Sequence, residues 1–302
     1  MYIIIFCFFI LCYNNCIMFK KFILIVIIVT GLYCFNHLFT DSPTTLPSYA
    51  PGDRVERPLN PTAERVKEFV LRFLPAKEQW PEPVKVMYYM VFMDEVIRPI
   101  QARKDYLPLD SLGTDLQHAV IAVEDHDFYS HSAVSINSVI RAIMVNTSAG
   151  EVLEGGSTLT QQLVKNLFLT NEQTMSRKAL EAMLALVMEN RYSKDEILEI
   201  YLNSVYFGMN CYGANQATDK LFNKAPIILR LEEAALIAGL PNAPSALNPF
   251  ENPTGAKKRQ EVVLDAMQRY GFITQSQCWK AKSTEIYLSD GSILAHEDKV
   301  VL

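Results

Sequence analysis

The 302-residue chain has no C-x-x-C pair and no Cys/His spacing suited to zinc, which argues against the usual structural zinc sites. It has no S-x-x-K, and no K-T-G or K-S-G, so a serine acyl-transfer site of that type lacks its nucleophile motif. There is no Gly-rich phosphate loop, and alternating apolar and polar runs are scarce; a mainly α-helical fold is expected. Positive charge is not in excess: 28 Lys and Arg against 33 Asp and Glu leave a net −5, which argues against a nucleic-acid partner. Four of the six cysteines (Cys7, Cys12, Cys16, Cys34) lie at the N-terminus. Cys211 and Cys278 are read as separate, ordinary thiols.

What the sequence does have is an uneven distribution of apolar residues. Residues 22–35, "FILIVIIVTGLYCF", carry no charge, and apolar character resumes briefly through Phe39. Roughly 18 residues suffice to span a bilayer as a helix. Lys20 and Lys21 precede this segment and no basic residue follows until Arg54, so the N-terminus is expected in the cytoplasm and the remainder outside. No A-x-A-like cleavage site follows, and residues 22–39 read as an uncleaved signal anchor. Residues 1–21 form a short cytoplasmic or mis-started N-terminus; "MFKKFILIV" from Met18 reads as the ordinary start.

Residues 40–62 contain the Pro, Ser and Thr of a linker. Residues 63–104 open with Val66, Phe69, Val70 and Phe73 on one helical face. The helix signals then become dense. Ser193 and Glu196 spell a capping box before "ILEIYLN", Thr158 and Gln161 another before "LVKNLFL", and "RLEEAALIAGL" is a helix that ends at Gly239 and Pro241.

Chemistry concentrates in a few stretches. "AVIAVEDHDFYSH" (119–131) runs five apolar residues into Glu124 and Asp125. Taken alone this is a helix end with solvated acids; the alternative is the wall of a cleft. In "RKALEAMLALVMENRYSKDEILEIYLN" (177–203), Glu181 stands among apolar neighbours. Arg177 lies one helical turn earlier, so a surface ion pair competes with a cleft acid. "GGSTLTQQLVKN" (155–166) is either a helix cap or a helix N-terminus facing an anion, with Lys165, Arg177 and Lys178 adding cationic charge. Two acids among cations suit a reaction with one proton acceptor and an anionic leaving group.

In order, the motifs E-D-x-x-F-x-x-H, G-G-S-T-x-T-Q-Q, R-K-x-x-E and S-K-x-x-I-L-x-x-Y-L-N are all present. "YFGMNCYGANQATDKLFNK" (206–224) and "LEEAALIAGLPNAPSALNP" (231–249) accompany them. Residues 105–285 therefore resemble the peptidoglycan glycosyltransferases, the domain of class A penicillin-binding proteins and of monofunctional transglycosylases. Residues 286–302 are left as a tail. The resemblance implies a lysozyme-like helical head and a smaller membrane-proximal jaw, with the apolar segment 139–145 where the jaw lies. It implies an inverting hexosyltransferase that joins lipid II and the growing glycan-linked lipid into β-1,4 glycan, releasing undecaprenyl pyrophosphate. It needs no organic cofactor and could use a divalent cation, Mg or Mn, at Glu181.

Carried over by motif, Glu124 is the general base and Glu181 the second glutamate, which organises the pyrophosphate. Ser157, Thr158, Gln161, Gln162, Lys165, Arg177 and Lys178 hold substrate and leaving group, while Asp125, Phe128 and His131 shape the first motif. The resemblance places the domain outside the bacterial cytoplasmic membrane, beside other cell-wall synthesis proteins.

The chain departs from the family at Ala133 (usually glycine), Gln173 (commonly arginine), and Leu221 and Leu247 (usually tyrosines). If position 133 needs a positive φ, alanine would strain the loop. Without the acyl-transfer motif no transpeptidase activity is expected, either in a monofunctional protein or in the front part of a bifunctional one. Two rival readings are a catalytically weakened scaffold of the cell-wall machinery and a lytic hydrolase. The cationic group argues against the hydrolase, since glycan hydrolysis releases no pyrophosphate.

Overall fold

The structure, a computed structural model, describes residues 76–133, 156–170 and 174–294. The apolar segments 22–39 and 139–145, the amphipathic stretch 66–73 and Gln173 lie outside the described residues. Among the described residues no helix is long and apolar enough to cross a membrane. The chain divides into two compact units, Met1–Met93 and Asp94–Leu302.

In the first unit the described part holds a short 3-10 turn, Lys77–Gln79, and one α-helix, α1 (Glu82–Val91), entered through Pro81. Trp80, Val84, Tyr88 and Phe92 recur every four residues, which places them on one stripe of a helix. They pack into a buried cluster, with Trp80 edge-on to Tyr88 at 5.4 Å between ring centres and Tyr88 against Phe92 at 4.8 Å.

The second unit is mainly helical, as the sequence led one to expect. Its helices are α2 (Asp94–Gln101), α3 (Thr114–Glu124), α4 (Leu159–Phe168), α5 (Met175–Arg191), α6 (Lys194–Ser204), α7 (Ala214–Phe222), α8 (Leu231–Gly239), α9 (Pro253–Arg269) and α10 (Gln275–Ser283). The strands among the described residues are two short ones, β1 (Ile286–Tyr287) and β2 (Ile293–Leu294). They pair antiparallel with Ile286 opposite Leu294 and Tyr287 opposite Ile293.

The centre is α8. Every residue from Glu232 to Gly239 is buried, as expected of a helix that is apolar nearly all round. It packs against α9 and α3, and α9 packs against α3 in turn. The two acids it carries inward are neutralised at once. Arg230 reaches Glu232 at 3.0 Å and Glu233 at 2.9 Å, and Lys224 reaches Glu233 at 2.7 Å. Burial alone would raise the Glu233 carboxyl, but these donors hold it below the usual range. Gly239 closes the helix where α9 crosses: a Cβ there would stand 2.9 Å from the Arg259 Cγ.

Helix α6 fixes the approach to α3. Asn203 is buried; its amide oxygen accepts from the Leu107 N–H at 2.8 Å, and its NH₂ donates to the Leu107 carbonyl at 2.8 Å. Glu199 accepts from the Tyr106 hydroxyl at 2.7 Å and from the Leu109 N–H at 2.8 Å. Glu199 and Asn203 of α6 therefore clamp a segment ninety or more residues earlier in the chain, Tyr106–Leu109. Both capping boxes form as the sequence reads, Thr158 with Gln161 and Ser193 with Glu196.

Candidate active site

Helix α3 ends at Glu124, and Asp125 leaves the helical path. The simple expectation for a helix end, two solvated acids, does not hold. One Glu124 oxygen, Oε2, accepts a hydrogen bond from the Gln162 amide at 2.7 Å; the other, Oε1, is buried and unpartnered. Burial pushes this carboxyl above the usual range. The Gln162 hydrogen bond and the positive charges of Arg259 and Lys165 oppose that rise, and the neighbouring Asp125 adds to it.

Asp125 is 7% exposed and works structurally. Its Oδ2 accepts from the Leu159 N–H at 2.9 Å, in the first turn of α4, and its Oδ1 faces His131 Nε2 at 2.6 Å. The other His131 nitrogen, Nδ1, faces the Ser132 carbonyl at 2.5 Å. Two acceptors on one ring favour the doubly protonated imidazolium, and the Asp125 hydrogen bond accordingly raises the affinity of His131 for its proton. Phe128 is fully buried with the Lys194 ammonium 4.4 Å from its ring centre. Asp125, held by His131, thus joins the end of α3 to the start of α4.

Ala133 is fully buried, and its carbonyl accepts from the Thr158 hydroxyl at 2.7 Å. It is not among the residues with positive φ. The expected strain at this departure is absent, because the backbone here has no need of a left-handed conformation.

The second motif divides into two groups. Thr158 and Gln161 are buried and bond each other: the Gln161 side-chain oxygen accepts from the Thr158 N–H at 3.0 Å, and the Thr158 hydroxyl accepts from the Gln161 N–H at 3.2 Å. They form the cap and do not present themselves to a ligand. Gln162 and Lys165, three residues apart on the next face of α4, are the side chains that act on Glu124. Ser157, just before the cap, accepts from the Lys178 ammonium at 2.6 Å.

Lys178 belongs to a second centre on α5. Glu181 is 1% exposed, so it does not lie on an exposed stripe. Its Oε2 meets the Arg177 guanidinium at 3.2 Å and its Oε1 meets the Lys178 ammonium. The ion pair with Arg177 that the spacing suggested does form, but inside the protein. The Nε of Arg177 is buried and unpartnered. Glu181 was the residue offered to a divalent metal. Both its oxygens are taken by cations, and among the described residues no group of three His, Cys, Asp or Glu comes together. This donor set does not fit a metal ion.

Two site residues escaped the sequence reading. Arg259 on α9 acts electrostatically on Glu124 while its Nε donates to the Gly239 carbonyl at 3.4 Å. Tyr201 on α6 is fully buried and also lies within the influence of the Glu124 charge. Tyr201 is the tyrosine of the fourth motif, where it was given no role, and Arg259 stands in no motif.

The sequence pattern of the family described as Transglycosylase matches residues 93–268. The chain belongs to the transglycosylase family. Its transglycosylase domain is of the kind found in class A penicillin-binding proteins. It is 42% identical over 175 residues to penicillin-binding protein 1A of Aquifex aeolicus (strain VF5), covering 58% of this chain and 24% of that protein. To penicillin-binding protein 1A of Neisseria flavescens it is 44% identical over 187 residues, covering 62% and 23%. To penicillin-binding protein 1A/1B of Bacillus subtilis (strain 168) it is 40% identical over 185 residues, covering 61% and 20%. The chain thus matches between 20% and 24% of the length of these relatives. A crystal structure of penicillin-binding protein 1A from Haemophilus influenzae aligns with 43% of this chain and 16% of its own at 29% identity, with a TM-score of 0.31.

Proposed function

We propose that the protein polymerises lipid II into β-1,4 glycan and releases undecaprenyl pyrophosphate, with Glu124 as the general base. The observation that carries this reading is the asymmetry of the Glu124 carboxylate. Gln162 holds one oxygen and leaves the other with unused acceptor capacity. The 4-hydroxyl of the acceptor gives its proton to Oε1 as its oxygen bonds to the anomeric carbon of the donor. The bond from that carbon to the lipid pyrophosphate breaks on the opposite face, and the pyrophosphate leaves with the electron pair. Removal of the proton as the bond forms typically contributes ~10²–10⁴-fold.

A base must be ionised to act. Burial works against that at Glu124, and the Gln162 amide, Arg259 and Lys165 work for it. The departing pyrophosphate needs preorganised donors. Arg177, with one N–H still unpartnered, and Lys178, drawn to Ser157 and Glu181, supply them. Glu181 keeps the two cations in register before the anion arrives. The apolar segment 22–39 would hold this domain on the outer face of the bacterial cytoplasmic membrane, where an anchored enzyme meets a lipid substrate at high effective concentration.

The test is glycan formation from labelled lipid II by protein produced from Met18, beside Glu124→Gln. Polymer from the parent and none from the variant is the expected result. Polymer from both would remove Glu124 from the role of base, and polymer from neither, with lipid II still bound, would favour the scaffold reading.

A further inference from the structure

Among the described residues, four buried side-chain atoms lack a hydrogen-bond partner: Glu124 Oε1, Arg177 Nε, the Tyr201 hydroxyl and the Ser204 hydroxyl. Buried polar groups in folded proteins are nearly always paired, so each exception requires a reason. Glu124 and Arg177 already have roles in the proposed reaction. Tyr201 has none so far, and its hydroxyl is carried by a fully buried ring on α6, the helix that packs on α4. Helix α4 is the one that presents Gln162 to Glu124. The chemistry of the two orphans is complementary: a phenol donates, and an ionised carboxylate only accepts.

We propose that Tyr201 is a positioning residue for the base, donating its O–H to Oε1 of ionised Glu124. The inference rests on the reading of Glu124 as the base. Neither atom bonds the other as they stand here, and the bond forms when the carboxylate, free on that side, swings toward the ring. Tyr201 keeps its own proton throughout; the proton from the acceptor hydroxyl still goes to Glu124. With Gln162 on Oε2, the carboxylate is then held at both oxygens, and its remaining lone pairs are aimed in one direction.

Electrostatics agree with the placement. Burial raises the Tyr201 phenol well above its usual range and the Glu124 charge adds to it, so the phenol stays a donor. The charged groups that act on Glu124 are Arg259 from α9, Lys165 from α4 and Asp125 beside it. The acids of α8, which also packs on α3, are already paired with Arg230 and Lys224. Tyr201 is a neutral donor within reach of the Glu124 charge.

The experiment is the pH dependence of lipid II polymerisation by the full chain in detergent, comparing the parent, Tyr201→Phe and Glu124→Gln, with thermal unfolding of each. Tyr201→Phe should fold, lose about tenfold or more in kcat with little change in KM, and show its acid limb about one pH unit higher, as loss of one charge-assisted bond requires. If Tyr201→Phe leaves the acid limb and kcat unchanged while Glu124→Gln is inactive, Tyr201 only packs and the inference fails alone. If Glu124→Gln stays active, the base reading fails first. Should Tyr201→Phe not fold, 3-fluorotyrosine placed at Tyr201 keeps the shape and strengthens the donor. The acid limb must then move to lower pH, and an unmoved limb overturns the proposal.

Discussion

Replacing Glu181 by glutamine should weaken the fold and tighten anion binding at once. Glu181 is 1% exposed and holds Arg177 and Lys178, whose side chains are 15% and 41% exposed. Removing one partner of a fully buried pair costs about 3–5 kcal/mol, because the other charge is left uncompensated. Lys178 is open enough to recover water, so its share is screened. Arg177 is not, and its Nε already lacks a partner. The expected loss is therefore about 2–3 kcal/mol, between the surface and buried limits. For a unit of this size that lowers Tm by roughly 5–10 °C. Glutamine cannot neutralise the two cations, so inorganic pyrophosphate should bind Glu181→Gln more tightly than the parent, with the gain shrinking as salt rises. Thermal unfolding with and without pyrophosphate measures both effects. An unchanged Tm, or equal pyrophosphate affinity, would refute the view that Glu181 holds these cations in place. A double-mutant cycle with Arg177→Gln would show the coupling directly.

The His131–Asp125 pair makes stability depend on pH. The hydrogen bond to Asp125 raises the folded pKa of His131 above its unfolded value. Its contribution is therefore fully present below about pH 6.5 and lost as pH rises through the folded pKa. The urea midpoint of the parent should exceed that of His131→Gln at low pH, with the gap closing toward alkaline pH; a constant gap would contradict the pairing. Gly213→Ala should cost about 2 kcal/mol or more. Its φ is +98°, and a Cβ would stand 2.6 Å from the Asn203 carbonyl oxygen and 3.1 Å from the Arg103 guanidinium. Gly271, with φ +80° and open space around it, should lose only about 1 kcal/mol on the same change. Equal losses in urea titrations would show that the clash at Gly213 relaxes freely.

The site was legible in the sequence where its geometry is local. The caps at Thr158 and Ser193 and the pairing of Arg177 with Glu181 connect residues three or four apart, and helical periodicity alone brings these together. Sequence could not say whether Glu181 was exposed or enclosed, because that depends on which helices cover α5. The same holds for Thr158 and Gln161, which motif-based reasoning assigned to substrate but which the fold spends on a cap. The concern over Ala133 came from residue type; the backbone φ that decides it exists only in the folded loop.

By itself the sequence determined the helical class, the family, and a glutamate at the end of an apolar helix with cations further along the chain. The tertiary structure alone decided how that glutamate is held. Gln162 is 38 residues away from it, and Tyr201 and Arg259 are further still. Their influence on Glu124 comes from the packing of α3 with α9 and of α4 with α6. Burial and electrostatic field are sums over everything near a group in space. The order of residues fixes only the part of that sum that lies within a few turns of the same helix.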